Sequence, residues 1–160
     1  MKTTLKLIPF LFAFLLISCG EKETKNKPSY GKKKTVTKID NTPASKKIDL
    51  ISKGVGPIKS ITLESEINQK MAAHGADVFK KMCTACHRAD KKFIGPSPQG
   101  ILERRTPEWV MNMILNPDEM VQKDPLAKKL LIEFNGSPMA NQSLSEKDAR
   151  AVLEYFRTLK

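Results

Sequence analysis

The sequence predicts a small all-α domain that follows a non-globular N-terminal region. Apolar residues recur at helical spacing in four segments of the C-terminal two thirds, and two of these segments open with residues that favour helix N-termini. No stretch alternates apolar and polar residues in the manner of a half-buried strand, and the chain has no internal repeat. A length of 160 residues allows one domain with a modest core.

Residues 1–18 resemble a bacterial lipoprotein signal peptide. Two lysines precede an apolar run, residues 7–17, that is too short to cross ~30 Å of hydrocarbon as a stable helix. The segment 16–20, Leu-Ile-Ser-Cys-Gly, resembles a lipobox, in which the signal is cleaved before a cysteine that is then acylated. We therefore expect Cys19 to be lipidated and the protein to be exported and held at a bacterial membrane, facing the periplasm or the outside. An ordinary secretory signal with an unmodified Cys19 is the alternative.

Residues 19–57 are rich in lysine and small polar residues, which predicts a flexible tether because little apolar surface is available to offset the ordering entropy. Basic minus acidic residues give 2 − 0 = +2 for residues 1–18, 10 − 4 = +6 for 19–56 and 16 − 13 = +3 for 57–160. Most of the net charge of +11 therefore lies outside the predicted domain. Anionic lipid or nucleic acid could bind the basic run 31–34. We expect no nucleic-acid partner, because no aromatic residues interleave with the charges of an exported chain.

The predicted domain, residues 58–160, contains the helical pattern. The expected helices are 67–82, 106–116, 124–134 and 145–159. Thr106 is a favourable N-cap with Pro107 at the first helical position, and Ser145 opens a segment close to a capping box. Asn135-Gly136 is a typical helix stop. Four helices of this length are sufficient for a single apolar core.

Two of the three cysteines lie three residues apart and a histidine follows, in the segment Cys83-Thr84-Ala85-Cys86-His87. This spacing suits a zinc half-site, a thiol redox pair or the attachment of a haem. A zinc site needs a fourth ligand, for which only His74 is available, and a thioredoxin-like pair needs surrounding strands. Two thioether bonds would instead fix a haem with the next residue over its iron. We therefore predict covalent haem c at Cys83 and Cys86, with His87 as an axial ligand.

The second axial position needs another side chain. His74 lies on the helix that leads into the motif, too close in sequence to return across the haem. A methionine thioether favours ferrous iron, and the candidates are Met71, Met82, Met111, Met113, Met120 and Met139. Five of them lie in or beside apolar helical faces, where methionine commonly packs. Met139 instead follows Pro138 in an irregular loop, so we predict Met139 as the ligand; another methionine or an open position is the alternative.

Residues from about 66 to 160 resemble class I cytochromes c. The matching features are Gly75, Phe79, the Cys83–His87 motif, Gly95-Pro96, the segment Gly136-Ser137-Pro138-Met139, Leu144-Ser145, Val152 and Tyr155. The resemblance implies a cytochrome c fold, with helices wrapped around one covalent haem. It further implies that the first and last helices cross at Gly75, with Phe79 and Tyr155 packed at the crossing.

Two further implications concern the residues around the iron. The resemblance implies that the carbonyl of Pro96 contacts the ring of His87 and fixes the orientation of the imidazole. Ala140 departs from the pattern, because many relatives have proline after the ligand methionine. The run 94–109, with Asn116-Pro117 after it, also resembles small cytochromes that accompany nitrous oxide reductase.

With both axial positions filled, the iron has no coordination site for a substrate, so we expect an electron carrier and not an enzyme. The expected donor is a membrane quinol-oxidising complex, and the acceptor is a terminal reductase, with nitrous oxide reductase as the specific candidate. A basic collar is expected around the exposed haem edge. Its predicted members are Lys80, Lys81, Arg88, Lys91 and Lys92. A haem-based ligand-binding or sensor module with an open distal site is the alternative function.

Overall fold

The computed structural model describes residues 41–160. The predicted signal peptide, Cys19 and residues 19–40 of the predicted tether lie outside the described residues. The described part contains five α-helices: α1 Gln69–Met82, α2 Pro107–Leu115, α3 Pro117–Lys123, α4 Pro125–Glu133 and α5 Glu146–Phe156. A short 3₁₀ helix, Ile101–Glu103, precedes α2. Apart from an isolated bridge between Asp49 and Arg105, residues 41–160 form no strand, so the all-α prediction is confirmed.

Side-chain caps explain where four of the helices begin. The capping side chains are Asn68 for α1, Thr106 for α2, Asp124 for α4 and Ser145 for α5, each of which accepts a hydrogen bond from a backbone N–H in the first turn. Proline occupies the first position of α2, α3 and α4, where its missing N–H costs no helical hydrogen bond. No helix in this part of the chain is long and apolar enough to cross a membrane.

The helix α3 was not predicted. The second predicted helix ends at Asn116, and the next one begins at residue 124. The proline ends α2, but it also starts α3, and Met120 of this seven-residue helix is fully buried. Seven residues are too few to produce a helical periodicity that stands out from its neighbours.

The helices α1 and α5 cross in close contact at Gly75. A Cβ on Gly75 would lie only 1.9 Å from the backbone oxygen of Ala151, so the crossing requires glycine at this position. The ring centroids of Phe79 and Tyr155 lie 5.5 Å apart, and those of Phe79 and Phe156 lie 5.7 Å apart. This is the crossing that the resemblance to class I cytochromes c implied, and it buries Phe79.

Residues 41–57 were predicted to belong to the flexible tether, and the structure places them against the domain instead. We call residues 43–52 the strap. Its backbone binds the buried side chain of Arg105, and Ser45 donates through its N–H and its hydroxyl to the carboxylate of Glu133. The strap contains few core residues, and its attachment depends on polar side chains of distant segments.

The chain after the strap is held by α2 and α3. Asn112 is buried, donates to the carbonyls of Lys53 and Ile58, and accepts from the N–H of Ile58 at 2.9 Å. The sulfur of Met120 accepts from the N–H of Val55. The domain boundary therefore lies N-terminal to residue 57.

Candidate haem-binding cleft

A deep cleft opens beside the C-terminal end of α1. It holds about 1120 Å³ of space, part of which is open to solvent. Its apolar wall comes from several elements and includes Phe79, Ile94, Val110, Ile114, Leu130 and Phe156. A cleft of this kind suits a large, flat and mainly apolar cofactor.

The Cys83–His87 motif forms one end of the cleft. α1 ends at Met82, and the carbonyl of Cys83 then accepts hydrogen bonds from the N–H groups of Cys86 and His87, at 3.1 and 2.9 Å. This tight turn places Cys83, Cys86 and His87 along the same cleft. The two cysteines are not joined in a disulfide.

The two thiols differ in exposure. Burial raises the pKa of the Cys83 thiol to about 11, so this cysteine is a neutral thiol at physiological pH. Thiol redox chemistry proceeds through the thiolate, and the burial of Cys83 therefore disfavours a redox pair. Cys86 is exposed at the mouth of the cleft.

Two neighbours orient the imidazole of His87. Its Nδ1 lies 2.8 Å from the carbonyl oxygen of Pro96, and a carbonyl can only accept, so Nδ1 is the protonated nitrogen. A Cβ on Gly95 would lie 2.5 Å from Cε1 of the same ring. The Pro96 contact is the one that the resemblance implied. It leaves Nε2 with its lone pair available for a metal.

The six methionine candidates separate clearly in the structure. Only Met113, on α2, and Met139 line the cleft. Met120 is fully buried elsewhere and accepts the hydrogen bond from Val55. Met111 is buried in the core outside the cleft, and Met71 and Met82 lie on α1 outside it as well.

The loop that carries Met139 begins with two residues in the left-handed backbone conformation. Asn135 and Gly136 have φ values of 58° and 73°, and the N–H of Gly136 donates to the carbonyl of Leu131 at 2.8 Å. This left-handed pair ends α4 and redirects the chain, as the Asn-Gly sequence predicted. Pro138 and Met139 then follow along the rim of the cleft.

Three buried N–H groups in the residues that line the cleft have no hydrogen-bond partner. They are Nε of Arg104, Nε of Arg105 and Nε1 of Trp109. A buried donor without a partner costs about 1–3 kcal/mol, and such groups are rare in native proteins. A haem carries two carboxylates in addition to its apolar ring. The orphaned donors and the apolar wall together fit that group.

Arg105 is the most constrained of these donors. It is 1% exposed, and burial lowers the pKa of its guanidinium. The carboxylates of Asp49, Asp124 and Glu133 act in the opposite direction and partly compensate its charge. Haem carboxylates would add to this negative charge. In the sequence, Arg104 and Arg105 stand out only as part of the run that resembles small cytochromes. No local pattern marks an arginine as buried, because its burial depends on the strap.

The zinc alternative has no support in the described part of the chain. His74, its only available fourth ligand, is a surface residue whose Nε2 lies 2.8 Å from Oδ1 of Asp148. No group of three histidine, cysteine, aspartate or glutamate side chains in residues 41–160 is arranged to hold a metal ion.

The predicted basic collar is only partly free. Four of its members, Lys80, Lys81, Lys91 and Lys92, are exposed, and Arg88 is partly buried. The guanidinium of Arg88 lies 4.0 Å from the ring centroid of Phe93, and the ammonium of Lys92 lies 4.7 Å from that of Phe134. These two cations therefore stabilise the cleft mouth in addition to contributing charge. Phe93 and Ile94 are each 46% exposed there, beside Cys86.

Comparison with known proteins agrees with this site. A family model described as Cytochrome c matches residues 72–160, more than half of the chain. A solved cytochrome c from Rhodothermus marinus is 43% identical, with a TM-score of 0.63 and coverage of 65% of this chain and 89% of that chain. An engineered form of that cytochrome is 42% identical, with a TM-score of 0.63 and coverage of 65% and 90%.

A third solved structure, the engineered Rhodothermus marinus cytochrome bound to a carbene intermediate, is 42% identical, with a TM-score of 0.60 and coverage of 65% of this chain and 89% of that chain. No curated protein matches the sequence. The family model, the fold and the haem-compatible cleft lead to one conclusion: this chain belongs to the cytochrome c family, and it is a haem-based electron-transfer protein with covalently bound haem c.

Proposed function

We propose that this chain is a membrane-anchored mono-haem electron carrier and not an enzyme. Cys83 and Cys86 hold the haem through thioether bonds, and His87 and Met139 are the two axial ligands of its iron. Once bound, the haem supplies a reversible one-electron couple. The protein holds the ring, fixes the ligands and limits the access of water.

The observation that carries this proposal is that His87 and Met139 come from separate parts of the domain sequence and line one apolar cleft. The carbonyl of Pro96 engages Nδ1 of His87 and thereby directs Nε2 to the iron. With imidazole and thioether both bound, no coordination position is left for a substrate, which favours electron transfer over bond chemistry.

The far end of the cofactor is held by polar groups. The unpartnered N–H groups of Arg104, Arg105 and Trp109 would donate to the haem carboxylates. Charge-assisted hydrogen bonds of this kind are stronger than neutral ones and would satisfy all three orphaned donors. The haem would therefore lie with its attached edge at Cys86 and its carboxylate edge at Arg105.

Electrons would cross at the mouth of the cleft. Cys86, Phe93 and Ile94 are exposed there, and the free lysines of the collar surround them. Complementary charge accelerates encounter with an acidic partner without requiring a tight complex. The proposed donor is a membrane quinol-oxidising complex and the proposed acceptor a terminal reductase, specifically nitrous oxide reductase. Lipidated Cys19 would keep the haem domain at the membrane, in the periplasm or outside.

A pair of substitutions tests the axial ligand. Met139→Leu should remove the weak red charge-transfer band of methionine-ligated ferric haem, lower the midpoint potential and open the ferrous iron to carbon monoxide. Met113→Leu is the matched control, because Met113 lines the same cleft and leucine has a similar volume. Retention of the red band in Met139→Leu and its loss in Met113→Leu would transfer the ligand role to Met113.

A ligand-binding or sensor function is the second candidate. One observation favours it: the solved structure of an engineered relative is described as bound to a carbene intermediate. Met139 is also only half-buried and lies in a loop. Under this alternative, the wild-type ferrous protein would bind carbon monoxide rapidly at neutral pH and would lack the red band. The electron-carrier proposal expects the opposite result in both measurements.

A further inference from the structure

The side chain of Arg105 links the strap to the cleft. Its Nη2 donates to the carbonyl of Ala44 at 2.6 Å, and its Nη1 donates to the carbonyl of Lys47. Nη1 also donates to the carbonyl of Arg104 at 2.7 Å, whereas Nε has no partner. Arg105 lines the cleft, and so does Ser45, which belongs to the strap.

Several independent bonds hold the strap in this position. A turn in which Pro43 accepts from the N–H groups of Lys46 and Lys47 presents the carbonyls of the strap to Arg105. Ser45 is bonded to Glu133 of α4, and the N–H of Asp49 donates to the carbonyl of Arg104 at 2.9 Å. The family model begins at residue 72, so the strap lies outside it.

We propose that the strap acts as a positioning element for electron transfer, holding the Arg105 guanidinium in a dry site at the carboxylate end of the haem and thereby raising the reduction potential. A positive charge close to the cofactor favours the reduced state, which carries one less positive charge than the oxidised state. Release of the strap would admit water, which screens that charge and stabilises the more highly charged oxidised state. Both effects lower the potential.

Thermodynamic linkage turns this into a reciprocal statement. If the docked strap raises the reduction potential, reduction of the haem must favour docking of the strap by the equivalent free energy. Each tenfold difference in the strap-docking constant between the two oxidation states corresponds to 59 mV between docked and released potentials, because one electron is transferred. The inference rests on the proposed placement of the haem carboxylates, and its test is separate from that of the haem itself.

The test uses the full chain with haem bound. Hydrogen exchange of the Asp49 amide, which is bonded to Arg104 in the docked strap, should be slower in the ferrous than in the ferric protein. The amide of Ile58 is the internal control, because Asn112 holds it outside the strap. A redox difference of equal size at Asp49 and Ile58 would reveal a general change in stability and would overturn the proposal, as would no difference at Asp49.

Substitutions supply the second arm. Ser45→Pro removes both bonds to Glu133 and places proline at an unfavourable turn position without changing charge. It should lower the midpoint potential and abolish the redox difference at Asp49. Ile48→Ser is the matched control, because this strap side chain is 66% exposed and should leave both unchanged.

The outcomes separate this inference from the proposed function. The positioning role alone would be overturned if Ser45→Pro released the strap but kept covalent haem, the red band and the wild-type midpoint potential. Should Ser45→Pro yield no haem protein, Ser45→Ala removes only the hydroxyl bond, and a smaller decrease in potential is expected. The wild-type exchange comparison needs no substitution and decides the question by itself.

Discussion

Gly95 lies in direct contact with the imidazole of His87. A Cβ at this position would come within 2.5 Å of Cε1 and 2.9 Å of Nδ1, distances that neighbouring atoms do not tolerate. The backbone of Gly95 is itself fixed, since its N–H donates to the carbonyl of Cys86 at 2.8 Å. The imidazole must therefore move if the glycine is replaced.

We predict that Gly95→Ala displaces His87 from its bond with Pro96 and weakens its ligation of the haem iron. The visible spectrum and the midpoint potential of the variant should both change. Gly136→Ala is the control: its Cβ meets nothing within 4 Å, but its φ of 73° disfavours alanine. The control should lose about 1 kcal/mol of stability, and His87 should keep its bond with Pro96 because the added Cβ meets no neighbour. A native spectrum in Gly95→Ala would contradict the steric argument.

A second prediction concerns the buried carboxylate of Glu154 on α5. It accepts hydrogen bonds from Arg150, Arg157 and the N–H of Asn68, the N-cap of α1. Burial acts to raise the pKa of Glu154, but these partners outweigh it, so the pKa lies below its usual value of 4.5. A lowered pKa means that the carboxylate stabilises the fold above its unfolded pKa, and that this stabilisation is lost as the pH falls through the folded value.

Glu154→Gln should therefore cost about 1–3 kcal/mol of unfolding free energy at pH 7, and it should lose less stability than the wild type between pH 7 and pH 3. Denaturant unfolding at several pH values measures both quantities. Glu146→Gln is the control, because Glu146 lies exposed in the first turn of the same helix. Identical pH dependences for wild type and Glu154→Gln would exclude this role for the carboxylate.

The parts of the fold that could be predicted are those encoded locally. Helix caps, a helix stop and apolar periodicity located four helices, and the cysteine spacing located one end of the cleft. Met139 could be singled out because it lies outside any helical pattern. The boundaries differ slightly from the prediction: the first helix begins at Gln69 and not at residue 67, and the last ends at Phe156 and not at residue 159.

The parts that could not be predicted depend on distant partners. The strap resembles a disordered segment in composition, since its stabilising bonds come from Arg105 and Glu133, about 60 and 88 residues away. The unpartnered donors of Arg104 and Trp109 likewise become visible only when their surroundings are known. A lysine-rich composition indicates that a segment can form little apolar core. It does not indicate how many of the segment's backbone groups are hydrogen-bonded to distant residues.

The third prediction tests the attachment of the haem. Cys83→Ala combined with Cys86→Ala should abolish haem that remains bound through denaturation, and the domain should be largely unfolded, because the ring fills much of the core. Intact mass and far-ultraviolet circular dichroism measure the two effects. A folded, compact double variant without haem would show that the polypeptide core is sufficient by itself.

The fourth prediction concerns Cys19, which lies outside the described residues. Cys19→Ser should release the protein from the membrane fraction, since several acyl chains on one residue are the proposed anchor. The haem spectrum should be unchanged, because the substitution alters none of the residues that line the cleft. Retention of Cys19→Ser in the membrane fraction at the wild-type level would argue for another anchor.

The fifth prediction concerns the partner surface. Oxidation of the reduced protein by its acceptor, with nitrous oxide reductase as the first to be tried, should slow steeply as salt rises, because screening weakens long-range attraction. Lys91→Glu should slow the reaction at low salt, whereas Lys92 is a poorer site for substitution because it also packs over Phe134. Lys147→Glu is the matched control and should have a smaller effect, because Lys147 is exposed on α5 and does not line the cleft. Equal rates at all salt concentrations and in both variants would reject docking at the basic collar. A reaction with a different reductase, showing the same dependence on salt and on Lys91, would keep the docking surface and replace the acceptor.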